Sequence, residues 1–203
     1  MKKRFIRLSA VLFLSISLML SGVVPVMAET ASVDPKDAAS GIKTSAIEIQ
    51  SGKQLNCSKA YKELNKFRTK KKQWQWKKGS KKKQYFNTKK SNTLKKLKRD
   101  KDLEKTAKKR AKEIAKRFDH TRPNGKRCFT IYPKKFRYLG ENIAYGFNYF
   151  QTAEQVTEAW AEENEKYGGQ GHRRNMLEKH FKKVGIACYA EGGYYYWVQC
   201  FGG

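Results

Sequence analysis

The chain has 203 residues, enough for one domain with a hydrophobic core and a short tail. Its 45 lysines and arginines against 18 acidic residues give a formal charge of +27, a field that draws polyanions. The four cysteines fit neither a zinc ribbon nor a Cys-x-x-Cys redox pair, which favours structural crosslinks over a metal or redox role.

Lys2, Lys3, Arg4 and Arg7 precede an apolar run, Leu8 to Leu20, and the small-residue segment Val26-Met27-Ala28 follows. Basic, greasy and small-residue stretches in that order read as a secretory signal peptide over residues 1–28, cleaved after Ala28. The apolar run of about 13 residues is too short to span a bilayer core, so no stable membrane insertion is expected once the leader is removed. Residues 29–52, rich in Ala, Ser, Thr and Asp without periodicity, are expected to form a flexible spacer, and residues 53–203 the domain.

Within that domain nearly all of the positive excess lies between Lys53 and Arg137, and the remainder is slightly acidic. Tyr61, Leu64 and Phe67 fall at helical spacing behind the cap residues Asn56 and Ser58. A lysine-biased segment then runs from Lys66 to Lys101. It carries Trp74 and Trp76, and reads either as a solvated basic loop or as a groove that stacks bases. Expected export argues against nucleic acid as its partner.

A second helix is predicted from the stripe Leu103, Ala107, Ala111, Ile114, Ala115 and Phe118, with Asp100 as its N-cap and basic residues on the other faces. His120 follows in a turn, Asp119-His120-Thr121-Arg122-Pro123-Asn124-Gly125. Thr152 and Gln155 form a capping-box pair that opens a third helix, predicted to continue through Val156 and Trp160 to about Tyr167 and to stop at Gly168-Gly169. Val156, Trp160 and Glu163 share a face of that helix, which puts Glu163 at the edge of the core and Glu162 and Glu165 towards solvent. The same periodicity leaves open that Trp160 marks the edge of the stripe and that Glu163 is solvated. After a helical turn at Asn175 to Leu177, Val184–Tyr189 and Tyr194–Phe201 flank Glu191-Gly192-Gly193 as a β-hairpin. Helices followed by strands indicate an α+β domain.

In an exported chain four cysteines are expected as two disulfides, drawn from Cys57, Cys128, Cys188 and Cys200. The expected pairing is Cys188 with Cys200 and Cys57 with Cys128. His180, among Lys179, Phe181 and Lys182, reads as a surface residue.

Gly140-Glu141-Asn142-Ile143-Ala144 resembles the signature of the CAP superfamily: cysteine-rich secretory proteins, insect venom antigen 5 and plant pathogenesis-related proteins. Further pieces occur in the family's order, among them Leu64-Asn65-Lys66-Phe67-Arg68, His120-Thr121-Arg122-Pro123-Asn124-Gly125, Trp160, Gly171-His172-Arg173-Arg174-Asn175-Met176-Leu177, Val184-Gly185-Ile186-Ala187 and Tyr196-Trp197-Val198-Gln199. The resemblance implies an α-β-α sandwich with a central antiparallel sheet and a cleft floored by two histidines and two glutamates able to hold zinc or another divalent metal. Carried over, these are His120, Glu141, Glu163 and His172. The family's second glutamate lies three residues past the tryptophan, which selects Glu163.

Two functions are compatible with these features. One is a secreted, extracellular binding module whose cleft takes a small molecule, lipid or peptide while the basic half associates with anionic cell-wall or extracellular polymers. The other is a metal-dependent extracellular hydrolase of protease type. No His-Glu-x-x-His, Gly-x-Ser-x-Gly or Walker-type motif is present to favour the second.

Overall fold

Alternating apolar residues near the C-terminus, together with the glycines that connect them, build the centre of the domain. In the computed structural model, which describes residues 52–90 and 93–203, Lys183–Glu191 (β6) and Tyr194–Gly202 (β7) pair antiparallel around Gly192-Gly193. Both glycines have positive φ, as a tight two-residue hairpin turn requires. The expected leader, its cleavage after Ala28 and the spacer up to residue 51 lie outside the described residues.

Leu139–Phe147 (β5) adds antiparallel to β7, and Lys53–Gln54 (β1) pairs antiparallel with β6. The two-residue strand Lys98–Arg99 (β4) joins β6 in parallel. The sheet order is therefore β1-β6-β7-β5, with β4 beside β6. The sequence shows β5 as a motif and not as a strand, because Gly140, Glu141 and Asn142 break the apolar alternation that marks one.

One face of this sheet is covered by α2 (Lys101–Lys116). Leu103, Ala107, Ala111 and Ile114 pack there on Ile143, Ala187, Val198 and Cys200. Asp100 caps the helix as predicted, its carboxylate accepting from the Asp102 and Leu103 amides. The helix approaches so closely at Gly185 that a Cβ there would stand 2.0 Å from the Leu103 carbonyl carbon.

The other layer consists of α1 (Ser58–Thr69), α3 (Ala153–Ala161) and α4 (Gly171–Leu177), which pack on one another, with α4 against β5. The predicted capping box at Thr152 and Gln155 is present. The result is the expected α-β-α sandwich. The predicted third helix, however, is six residues shorter than expected, because Glu162 takes a left-handed conformation (φ 45°, ψ 43°) and ends it.

The lysine-biased segment is also more ordered than a loop. Trp74–Trp76 (β2) and Lys83–Tyr85 (β3) form a separate two-stranded ribbon. Among the described residues no helix is long and apolar enough to cross a membrane.

The cysteine pairing expected from sequence does not fit the sheet. All four cysteines are buried thiols. Cys188 lies opposite Trp197 and Cys200 opposite Gly185, so the two are three ladder steps apart, roughly 10 Å, on opposite faces. That separation rules out a Cys188–Cys200 bond.

Gly185→Ala should lower the unfolding free energy by about 1–3 kcal/mol, since α2 must move off the sheet. Gly168→Ala, where a Cβ meets nothing within 4 Å, should be nearly neutral. Urea denaturation of the two variants checks the contrast.

Candidate metal centre

The site grows from a charge that the apolar stripe of α2 carries inward. Arg110 lies seven residues after Leu103, on the buried face, and is completely shielded from solvent. A buried guanidinium needs acceptors for its fork of donors. Its Nε donates to Glu141 Oε2 at 2.8 Å and its Nη2 to Glu141 Oε1 at 3.1 Å. The remaining donors reach Glu113 Oε2 at 2.9 Å and the Asp119 carbonyl at 2.7 Å. Glu113 in turn accepts from Arg122 Nη2 at 2.7 Å. Burial alone would lower the Arg110 pKa, but Glu141 and Glu113 together hold it above its ordinary value.

The Asp119 bond fixes the residue immediately before His120, and His120 Nδ1 lies 2.9 Å from Glu141 Oε1. An ionised carboxylate can only accept, so Nδ1 is the donor and Nε2 is left free. The Cys128 thiol completes the group. Donor atoms of His120, Cys128 and Glu141 lie within 4.8 Å of one another, the one such group of three or more His, Cys, Asp or Glu residues among the described residues. Burial, and then the negative charge of Glu141, push the Cys128 thiol up to about 12, so without a cation beside it the group is a protonated thiol at neutral pH.

His172 sits in the first turn of α4, in the opposite layer. Its Nδ1 lies 2.5 Å from Oε1 of Glu162, whose Oε2 accepts from the Arg173 amide at 3.2 Å. The left-handed backbone at Glu162 turns this side chain inward, where it is 6% exposed. Glu163, the carboxylate expected from the sequence, is 55% exposed, and its ion-pair partner is Arg173 Nη1 at 3.9 Å. The helical-face argument for Glu163 assumed a helix that continues past Ala161, which it does not.

Two asparagines bridge the pairs. Asn142, next to Glu141 on β5, donates to the His172 carbonyl at 3.2 Å and to Gln199 Oε1 at 3.0 Å. Asn175 donates to the Glu141 carbonyl at 3.2 Å and to Asn142 Oδ1 at 2.9 Å. The third histidine stays at the surface, where its ring stacks on Tyr138 at 4.4 Å.

Arg173 ties the basic ribbon to this side of the site. It is fully buried, donates to the carbonyls of Trp74 and Ala161 and to Gln73 Oε1, and stacks on the Trp74 ring at 4.5 Å. Lys83 lies 3.8 Å from the centre of the same ring. The tryptophan-among-lysine pattern is thus used within the protein.

The profile of the family described as "CAP: Cysteine-rich secretory protein family" matches residues 61–201. The chain belongs to the CAP family. Its fold is similar to that of an outer surface protein from Borrelia burgdorferi, with 21% identity and a TM-score of 0.51 over 75% of this chain and 98% of that one. Similarity is also found to Schistosoma mansoni venom allergen-like protein 4, with 20% identity and a TM-score of 0.47 over 71% and 83% of the two chains. An extracellular SCP-domain protein from Bacillus anthracis matches at 22% identity and a TM-score of 0.44, over 54% of this chain and 34% of its own length. No curated protein sequence matches the chain significantly.

Of the residues expected from sequence, the structure places His120, Glu141 and His172 in these two pairs; Arg110, Glu162 and Arg173, which hold the pairs in place, were not singled out. The Arg110 signal was available, since residue 110 falls on the apolar stripe. Glu162 carried none, because its role depends on one backbone conformation.

Arg110→Met should cost about 3–5 kcal/mol, because Glu141 is left as an uncompensated buried charge. Adding Glu141→Gln should recover part of that loss. Denaturant unfolding of the single and double variants measures both.

Proposed function

We propose that this CAP-domain chain is an exported binding protein that holds a divalent cation such as Zn²⁺ at its histidines and is retained on anionic extracellular polymers by its lysine-rich surface. The observation that carries the reading is that both His120 and His172 direct Nδ1 at a carboxylate, leaving each imidazole Nε2 as a free ligand atom. Metal-binding histidines are commonly oriented by such a carboxylate on the other ring nitrogen.

The residues divide the work by their surroundings. His120 and His172 offer the ligand atoms. Glu141, already occupied by Arg110, and Glu162, which also accepts from the Arg173 amide, orient the rings. When bound, the cation would supply a Lewis-acid centre for an anionic or carbonyl group of a small molecule or peptide ligand.

Export is supported by the leader-like N-terminus and by the similarity to a protein named for the outer surface of its cell. Polymer retention is supported by α2, whose outer face carries the exposed residues Lys101, Lys105, Lys108, Lys109, Lys112 and Lys116.

Isothermal titration with zinc should show binding that is lost in His120→Ala and in His172→Ala. Glu162→Gln should weaken it by about 10–100-fold, as expected when an orienting carboxylate is removed. Glu163→Gln should bind as the parent does. Equal binding by His172→Ala and the parent would overturn the metal reading.

Retention on an anionic wall polymer should fall at least about tenfold between roughly 0.05 and 0.5 M NaCl, since salt screens contacts between exposed charges. Salt-insensitive retention would remove the electrostatic account.

A further inference from the structure

Four cysteines allow three connectivities, and the sheet eliminates two of them. The side chains of Cys188 and Cys200 point to opposite faces. Cys128 lies on the α2 face, against Glu141, whose ladder partner is Cys200. Cys128 is therefore on the far side of the sheet from Cys188 and on the same side as Cys200. That removes the connectivity joining Cys128 to Cys188 as well as the one joining Cys188 to Cys200.

The remaining connectivity brings neighbours together. Cys57 precedes α1, and its thiol donates to the Leu55 carbonyl at 3.6 Å, while the Leu55 amide donates to the Cys188 carbonyl at 2.8 Å. Cys128 lies against Glu141, whose neighbour across the ladder is Cys200, so both thiols are on the α2 face of the same rung.

We propose that the exported protein carries two disulfides, Cys57–Cys188 and Cys128–Cys200, one on each side of the sheet. Each S–S bond forms as two thiols lose two protons and two electrons to the disulfide of an exchange partner such as oxidised glutathione, which leaves as two thiols.

The second bond has a functional position. The Cys128 amide donates to the His120 carbonyl at 3.0 Å, so joining Cys128 to β7 anchors the turn that presents His120. The first bond fastens the start of α1 to β6 and leaves both histidines untouched.

The full chain, reduced and unfolded, is refolded with a mixture of reduced and oxidised glutathione; residual thiols are alkylated and the digest is read by mass spectrometry. This requires no export, so its result is independent of the functional reading above. The expected product is about 4 Da lighter than the reduced chain, resists alkylation, and yields the linked peptides Cys57–Cys188 and Cys128–Cys200. Alkylation at all four cysteines, or either alternative connectivity, would overturn the proposal. The double variant Cys57→Ala, Cys128→Ala should leave Cys188 and Cys200 both alkylated. The variant Cys57→Ala, Cys188→Ala should keep one bond; recovery of its two thiols in full would overturn the Cys128–Cys200 half.

Discussion

The pairing of buried Arg110 with buried Glu141 joins the α2 layer to the central sheet and decides where the rest of the site can be. Burying either group alone would be strongly unfavourable, so the α2 stripe and strand β5 must meet in one register. The planar guanidinium makes the constraint directional, because its two parallel bonds to the carboxylate set both position and angle. Glu113 and Arg122 extend the pair into a group of two cations and two anions, balanced in a chain with a large positive excess elsewhere.

From that anchor the site is assembled through backbone as much as through side chains. The carbonyl of Asp119 satisfies a donor of Arg110 and so places His120, while the backbone of Glu141 accepts from Asn175 in α4. The strand that carries Glu141 thus contacts the helix that carries His172. Glycine at position 185 removes the side chain that would hold α2 away from the sheet. A loss of packing at Gly185 would be felt at Glu141, which lies on the same rung of the sheet across Cys200, because both depend on the same seating of α2.

The two histidine–carboxylate pairs are alike in chemistry and different in construction. Glu141 is held by ionic pairing in the α2 layer. Glu162 is held by a left-handed residue at a helix end and by the amide of Arg173. Arg173 also anchors the ribbon that displays Trp74, which links the lysine-rich segment to the second pair through a buried cation. The basic half of the chain is therefore partly a surface and partly a support for the site.

Residue pattern alone determined the helices with strong caps and stripes, the terminal hairpin, and three of the four groups in the two pairs. These are local properties: a capping box, an apolar period or a glycine turn acts within a few residues of itself. The family motif around Glu141 identified a site residue but not its strand, since its polar residues conceal the alternation. Only the tertiary structure decided that Arg110, which the stripe already points inward, meets Glu141 there, that Cys188 and Cys200 stand on opposite faces, and that Glu162 rather than Glu163 meets His172. The physical reason is common to all three. Periodicity gives the direction of a side chain only while the element continues, and partners distant in sequence decide where it ends and which of its faces carries charge.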